Sequence, residues 1–115
     1  MFLFLKGVNM GKSAQRKGAN GERELANLLK EYGFEVRRGQ VFNHESDIVG
    51  LKGIHPEIKR VEKLNVWSAM EQAVTEAQIR NDGVPTVFHR KNRTGWLVTM
   101  RFEDWIELYK EWSNE

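Results

Sequence analysis

Two stretches of helical periodicity bracket a run of short strand-like segments, and that alternation constrains the fold more than any other feature. In residues 20–32, Leu25, Ala26, Leu28 and Leu29 repeat near a 3.6-residue period, and Gly33 after Tyr32 is a natural stop. Phe34 to Arg38 then alternates, with Phe34 and Val36 opposite Glu35 and Arg37, as a strand does. Gly39 to Glu45 reads as a loop from which Val41 and Phe42 can dip into the core. Ile48-Val49 makes a short apolar strand ending at Gly50, and Leu51 to Gly53 is a tight connection. Ile54 to Arg60 sets Ile54, Pro56 and Ile58 against His55, Glu57 and Lys59; Pro56 marks a strand start, an edge or a bulge.

The second helix is predicted over residues 65–81, where Trp67, Met70, Val74 and Ala77 keep helical spacing until Gly83-Val84-Pro85 breaks it. Thr86 to His89 and Trp96 to Met100 are apolar strands. Phe102 to Trp112 closes the chain as an amphipathic helix with Phe102, Trp105, Ile106, Leu108, Tyr109 and Trp112 on its apolar face. The predicted order is α-β-β-β-α-β-β-α, an α/β fold with a central mixed five-stranded sheet flanked by helices. Trp67 and Met70 read as core or dimer interface. Trp105, Tyr109 and Trp112 read as core, with cover for a partner subunit as the alternative.

At 115 residues, with no repeat or linker, residues 1–115 suit one domain: a basic and apolar arm over 1–15, a core over 16–100 and the last helix over 101–115. Met1 to Leu5 is apolar but too short to span a bilayer, and no signal-length apolar run follows it. It reads as an edge strand, a partner-covered tail or a leader before Met10. A cytoplasmic protein with no membrane partner is therefore expected. The chain has no cysteine, which excludes disulfides, thiolate zinc sites and cysteine nucleophiles. Chemistry must run on carboxylates, Lys, Arg, His or hydroxyls.

The formal charge of +2 is a weak bias, but it is uneven. Residues 1–60 carry eleven Lys or Arg against seven Asp or Glu, and residues 61–115 carry seven against nine. Lys12, Arg16, Lys17, Arg23, Arg37 and Arg38 concentrate the positive charge and form the candidate phosphate-facing surface. An ordinary solvated surface would show the same cluster.

The pattern richest in chemistry is Asp47, then Glu57-Ile58-Lys59 ten residues on. Period two puts Glu57 and Lys59 on one strand face, and Asp47 begins the adjacent strand. Two carboxylates converging there, with the Ile58 carbonyl, can hold Mg²⁺, a cation that takes oxygen ligands. Lys59 beside it would orient or deprotonate a water, or stabilise phosphate charge. The solvated face of a hairpin with a Glu57–Lys59 charge pair fits the same residues.

An ordered series of motifs separates the two readings. Lys17-Gly18-Ala19-Asn20-Gly21-Glu22-Arg23-Glu24 runs a basic, glycine-containing stretch into a helix carrying an E-R-E triplet. Gly33-Phe34, Arg37 or Arg38, Asp47, Glu57-Ile58-Lys59, Glu71-Gln72 and the closing strands Val84 to His89 and Gly95 to Met100 follow in order. Over residues 16–100 the chain resembles the archaeal-type Holliday junction resolvases and related phage proteins of the PD-(D/E)xK nuclease superfamily. One departure is Ser46, where the superfamily usually has proline before the aspartate.

The resemblance implies a restriction endonuclease-like core. It makes Glu22 a helix carboxylate reaching the metal directly or through water, and Glu24 a salt-bridge or surface residue. It makes Arg23 a phosphate contact and Gln72 a residue orienting water or phosphate. It implies Mg²⁺-dependent hydrolysis of branched double-stranded DNA, with Mn²⁺ as substitute, leaving a 5′-phosphate and a 3′-hydroxyl. A junction needs two symmetric nicks, and a chain this small offers one active site, so a homodimer is expected. The compact chain favours a phage-encoded protein, acting in recombination or repair in the bacterial or host-cell cytoplasm. The alternatives are another nuclease of the superfamily, cutting flap, repair or restriction-type substrates, or a non-catalytic DNA-binding module.

The histidines are not spaced as a metal cluster. His44 precedes Asp47 and is a candidate phosphate contact, His55 a candidate metal-rim or substrate residue, and His89 structural. Gly11-Lys12-Ser13 lacks the upstream glycines and strand of a phosphate loop. Lys12, Arg16 and Lys17 read instead as a basic arm.

Overall fold

The computed structural model describes the backbone of residues 8–114 and side chains from residue 18 onward. The first seven residues, and with them the expected apolar tail, lie outside the described residues.

Helix α1 spans Val8–Glu31 and starts well before residue 20, so part of the expected arm is helical. Strands β1 (Arg37–Arg38) and β2 (Ile48–Val49) follow, joined through a 3-10 turn at Val41–Asn43. Then come β3 (Ile54–Arg60), α2 (Val66–Arg80), β4 (Val84–Arg90), β5 (Leu97–Met100) and α3 (Phe102–Ser113). The order matches the expected one. Val84 and Pro85 open β4 rather than serving only as a break.

The single five-stranded sheet is corrected to two sheets. β1 and β2 pair antiparallel, while β3, β4 and β5 form a separate mixed sheet with β3 parallel to β4 and β4 antiparallel to β5. The cause lies at the outer edge of β3. The Ile58 N–H, a donor an adjoining strand would use, instead donates to Asp47 Oδ2 at 2.8 Å. A side chain takes the place of a ladder bond, and β2 does not extend the sheet. Pro56 accordingly sits in an edge strand, where a missing donor costs least.

Helices cover both faces of the three-stranded sheet. Leu25 and Ala26 of α1 pack with Val36, Ile48 and Ile58, against Phe88 and Trp96. Ala69, Met70 and Ala73 of α2 pack with Val87 on the other face. The alternation of β3 thus sends Ile58 towards α1 and leaves His55, Glu57 and Lys59 for the α2 side. Asn65 caps α2 by accepting the Ser68 N–H, and Asn81 ends it in a left-handed conformation.

Arg60 and Arg90 stand opposite each other across β3 and β4, a repulsive pairing. Glu24 of α1 ion-pairs with both, at 3.2 and 3.0 Å, as its expected salt-bridge role requires. The close approach of α1 here needs Gly21, since a Cβ at that position would lie 2.9 Å from Arg60 Cβ.

Several expected core residues are exposed. Phe34, Val41 and Phe42 lie on the surface, because the strand before the loop shortens to two residues and the 3-10 turn points outward. Trp67 is 81% exposed, so of the Trp67–Met70 pair only Met70 is core. α3 buries none of its residues, and Trp105, Tyr109 and Trp112 are not core. No helix among the described residues is long and apolar enough to cross a membrane.

Candidate active site

The outer edge of β3 gathers acidic groups from three directions. Glu57 projects from β3 towards α2 and is 3% exposed. Asp47 arrives from the β1–β2 connection, tied to the Ile58 N–H. Its approach depends on Gly39, where any Cβ would overlap the carbonyl oxygen of Ser46. Glu22 comes from α1 and Glu76 from α2, both near enough to act on the charge of Asp47.

Burial, first, and then the Glu57 charge push the Asp47 carboxyl up to about 7; the bond from Ile58 N–H opposes this, and Glu22 and Glu76 add to it. Crowded carboxylates of this kind favour a proton or a cation among them. The N–H and C=O of a strand residue point to the same side. The Ile58 carbonyl therefore shares the open edge with Asp47. Glu57 Oε1 is buried without a hydrogen-bond partner. Oxygen donors and a repelled charge fit a divalent cation.

Lys59 Nζ lies 3.6 Å from Glu57 Oε2 and donates to Gln72 Oε1 at 2.9 Å. Gln72 in turn donates to Glu76 Oε2 at 3.1 Å. The lysine is therefore held at the site by a residue of α2, while Glu71 beside Gln72 is exposed.

The expected phosphate contacts divide. Arg38 ion-pairs with Glu22 at 3.2 Å, so two residues singled out for different tasks hold each other. Arg37 makes a two-pronged pair with Glu45 at 2.8 and 2.6 Å. Its hydrogen bonds draw the Glu45 carboxyl down to about 2, and the same pairing raises Arg37. Arg23 is exposed and, among the described residues, bonds locally to Asn20. His44 adopts a left-handed conformation at the end of the 3-10 turn and is exposed. The side chains of Lys12, Arg16 and Lys17 lie outside the described residues. His89 bonds Thr99 at 2.8 Å, a structural contact.

Two participants escaped the sequence reading. Glu76 follows Gln72 by four residues on α2, and that one-turn spacing was the available signal. Asp82 meets His55 Nδ1 at 2.8 Å, a contact made only by packing the end of α2 against β3. His55 itself is fully buried rather than at a rim. Burial lowers its basicity, but Glu57 and Asp82 outweigh that, and its pKa is raised overall.

The family model described as archaeal Holliday junction resolvase (Hjc) matches residues 13–110, extending into α3. Among solved structures the chain is similar to Hjc of Archaeoglobus fulgidus, a Holliday junction resolvase from an archaeal hyperthermophile. The two share 27% identity with a TM-score of 0.54, covering 73% of this chain and 72% of that one. No curated protein matches the chain.

Proposed function

The chain belongs to the archaeal Holliday junction resolvase family, and from that premise we propose that it is a structure-selective DNA endonuclease that resolves four-way junctions with a divalent cation at Asp47 and Glu57. The observation that carries the catalytic assignment is the convergence at the outer edge of β3 of Asp47, held by the Ile58 N–H at 2.8 Å, and buried Glu57, 3.6 Å from Lys59 Nζ, two carboxylates whose charges repel. A cation relieves that repulsion.

Asp47, Glu57 and the Ile58 carbonyl would hold the ion, with Glu22 reaching it directly or through water. Their all-oxygen chemistry suits Mg²⁺, with Mn²⁺ as substitute. When bound, the ion supplies Lewis acidity, lowering the pKa of water and neutralising charge on the scissile phosphate. Lys59 Nζ orients the attacking water or steadies the phosphate's growing negative charge, and Gln72 fixes the ammonium. Hydrolysis leaves a 5′-phosphate and a 3′-hydroxyl. Arg23, His44 and the basic turns of α1 with Lys12, Arg16 and Lys17 contact backbone phosphates, which position the DNA without reading its sequence. Arg37 and Arg38 join them only where a phosphate competes with Glu45 and Glu22. The nuclease core over 16–100 carries one such site, and a homodimer would present two for symmetric nicking.

The test is a cleavage panel of synthetic four-way junction, matched duplex, flap and single strand, with and without Mg²⁺. Junction-selective, Mg²⁺-dependent cutting is expected. Asp47→Asn and Glu57→Gln should each lower it by at least a hundredfold and leave junction binding intact or tighter, since a negative charge facing DNA is gone. Equal cutting of linear duplex would sink the junction reading, and wild-type rates in either variant would sink the metal assignment.

A further inference from the structure

Beside this site lies a second group of donors, of which the proposed reaction uses only Glu57. His55 Nε2 faces Glu57 Oε1 at 3.8 Å and Glu76 Oε1 at 3.9 Å. All three ligand atoms lie within 4.8 Å of one another. These separations exceed hydrogen-bond reach. His55 and Glu57 are 0% and 3% exposed, and both His55 Nε2 and Glu57 Oε1 are buried with no hydrogen-bond partner. Two unsatisfied polar atoms aimed at one small space are costly unless something fills it.

The other ring nitrogen shows what suits that space. His55 Nδ1 donates to Asp82, at 2.8 and 3.0 Å from its two oxygens. A metal-binding histidine commonly donates its second ring N–H to a carboxylate in this way, which fixes the tautomer and turns the other nitrogen's lone pair to the ion. Two metal–ligand bonds of about 2.1 Å span at most about 4.2 Å, so the two His55 separations already suit a shared ion. Glu76, the most exposed of the three side chains, can close the remaining gap.

We propose that His55, Glu57 and Glu76 form a second cation site, selective for a divalent transition metal such as Mn²⁺ over Mg²⁺, with Asp82 positioning His55. An imidazole donor supplies that selectivity, because Mg²⁺ prefers oxygen ligands. Glu57 is shared with the catalytic cation, its Oε2 on the Lys59 side and its Oε1 on the His55 side. The inference rests on the catalytic reading only through that shared carboxylate. Its consequence is that Mn²⁺ is more than a substitute for Mg²⁺: it fills a place Mg²⁺ leaves open.

Paramagnetic resonance of free Mn²⁺, titrated against the full chain in a large excess of Mg²⁺, tests this directly. One Mn²⁺ per chain is expected, with at least tenfold weaker binding in Glu76→Gln and in His55→Gln. Glu76 is partly exposed, so its variant remains informative if the buried His55→Gln does not fold. Asp47→Asn should keep the Mn²⁺ while losing cleavage. Substoichiometric Mn²⁺ should broaden the His55 Nε2 resonance before those of His44 and His89. Unchanged Mn²⁺ binding in Glu76→Gln, or no preferential broadening of His55, overturns the second site. Loss of both Mn²⁺ binding and cleavage in Asp47→Asn also overturns it and leaves the catalytic reading standing. Cleavage retained in Asp47→Asn, with Mn²⁺ still bound at His55, does the reverse.

Discussion

Asp47 performs two tasks that pull against each other. Its Oδ2 accepts the Ile58 N–H and holds the edge of β3, a structural bond, yet its charge faces Glu57, Glu22 and Glu76. The carboxyl rises from 3.8 to about 7. With the native pKa above the unfolded one, the native state keeps a proton that the unfolded state has released. Stability therefore falls as pH climbs from 3.8 to about 7, by about 1.4 kcal/mol per pH unit at most. Asn keeps an oxygen for the Ile58 N–H and carries no charge. Asp47→Asn should then gain on the wild type as pH rises through that window, in urea unfolding without divalent ions. Equal differences between variant and wild type at both ends of the window would remove the electrostatic account. The sequence exposed Asp47 and Glu57 through motif spacing, but not this conflict, which arises first from burial and then from the Glu57 charge, with Glu22 and Glu76 of other elements adding to it. Asp82 was invisible for the same reason: nothing within five residues of it calls for a histidine partner.

The elements themselves were legible where periodicity is enough. β3 and α2 fall where alternation and helical spacing put them, and the two ends of the predicted helix, Asn65 and Asn81, turn out to be its caps. Pairing was not legible, because the two residues of β2 carry no mark of which strand they join. Only the tertiary bond from Ile58 to Asp47 explains why β2 stays with β1. Nor does helical periodicity reveal how close a helix sits to its sheet. Gly21 and Gly18 both lie inside α1, where alanine would ordinarily add about 1 kcal/mol. A Cβ at Gly18 meets nothing within 4 Å, so Gly18→Ala should raise stability by that order. At Gly21 the Cβ collides at 2.9 Å with Arg60 Cβ, near the backbone of β3 and not a flexible tip. Overpacking costs about 1–3 kcal/mol, which exceeds the helical gain, so Gly21→Ala should destabilise. Moving α1 should also disturb Glu22 and the Glu24 clamp on Arg60 and Arg90. Denaturant midpoints of the two variants, side by side, check the opposite signs; a stabilised Gly21→Ala would mean that α1 has more room over β3.

Amphipathic spacing made α3 look like a core helix, but the same spacing serves an interface, and the helix buries none of its residues. Phe102 and Trp112 are 72% and 70% exposed. Trp105 and Tyr109 stack at 5.2 Å between them, and the row of rings continues from Phe102 through to Trp112. Such an aromatic surface on a monomer invites a partner. Under the proposed function two symmetric nicks would call on two active sites, and isologous packing of α3 on α3 would satisfy both demands. Large aromatic residues at the centre of an interface each carry about 2 kcal/mol or more, so Trp105→Glu should weaken self-association by at least about thirtyfold. Because Trp105 is exposed, the variant should fold with nearly unchanged stability. Sedimentation should report a wild-type dimer and a Trp105→Glu monomer, and junction cleavage should pass from paired incisions to single nicks. A wild type that sediments as a monomer, or a variant that remains dimeric, would remove α3 from the interface. Paired incision by a monomeric variant would go further, because one active site would then be cutting both strands in turn.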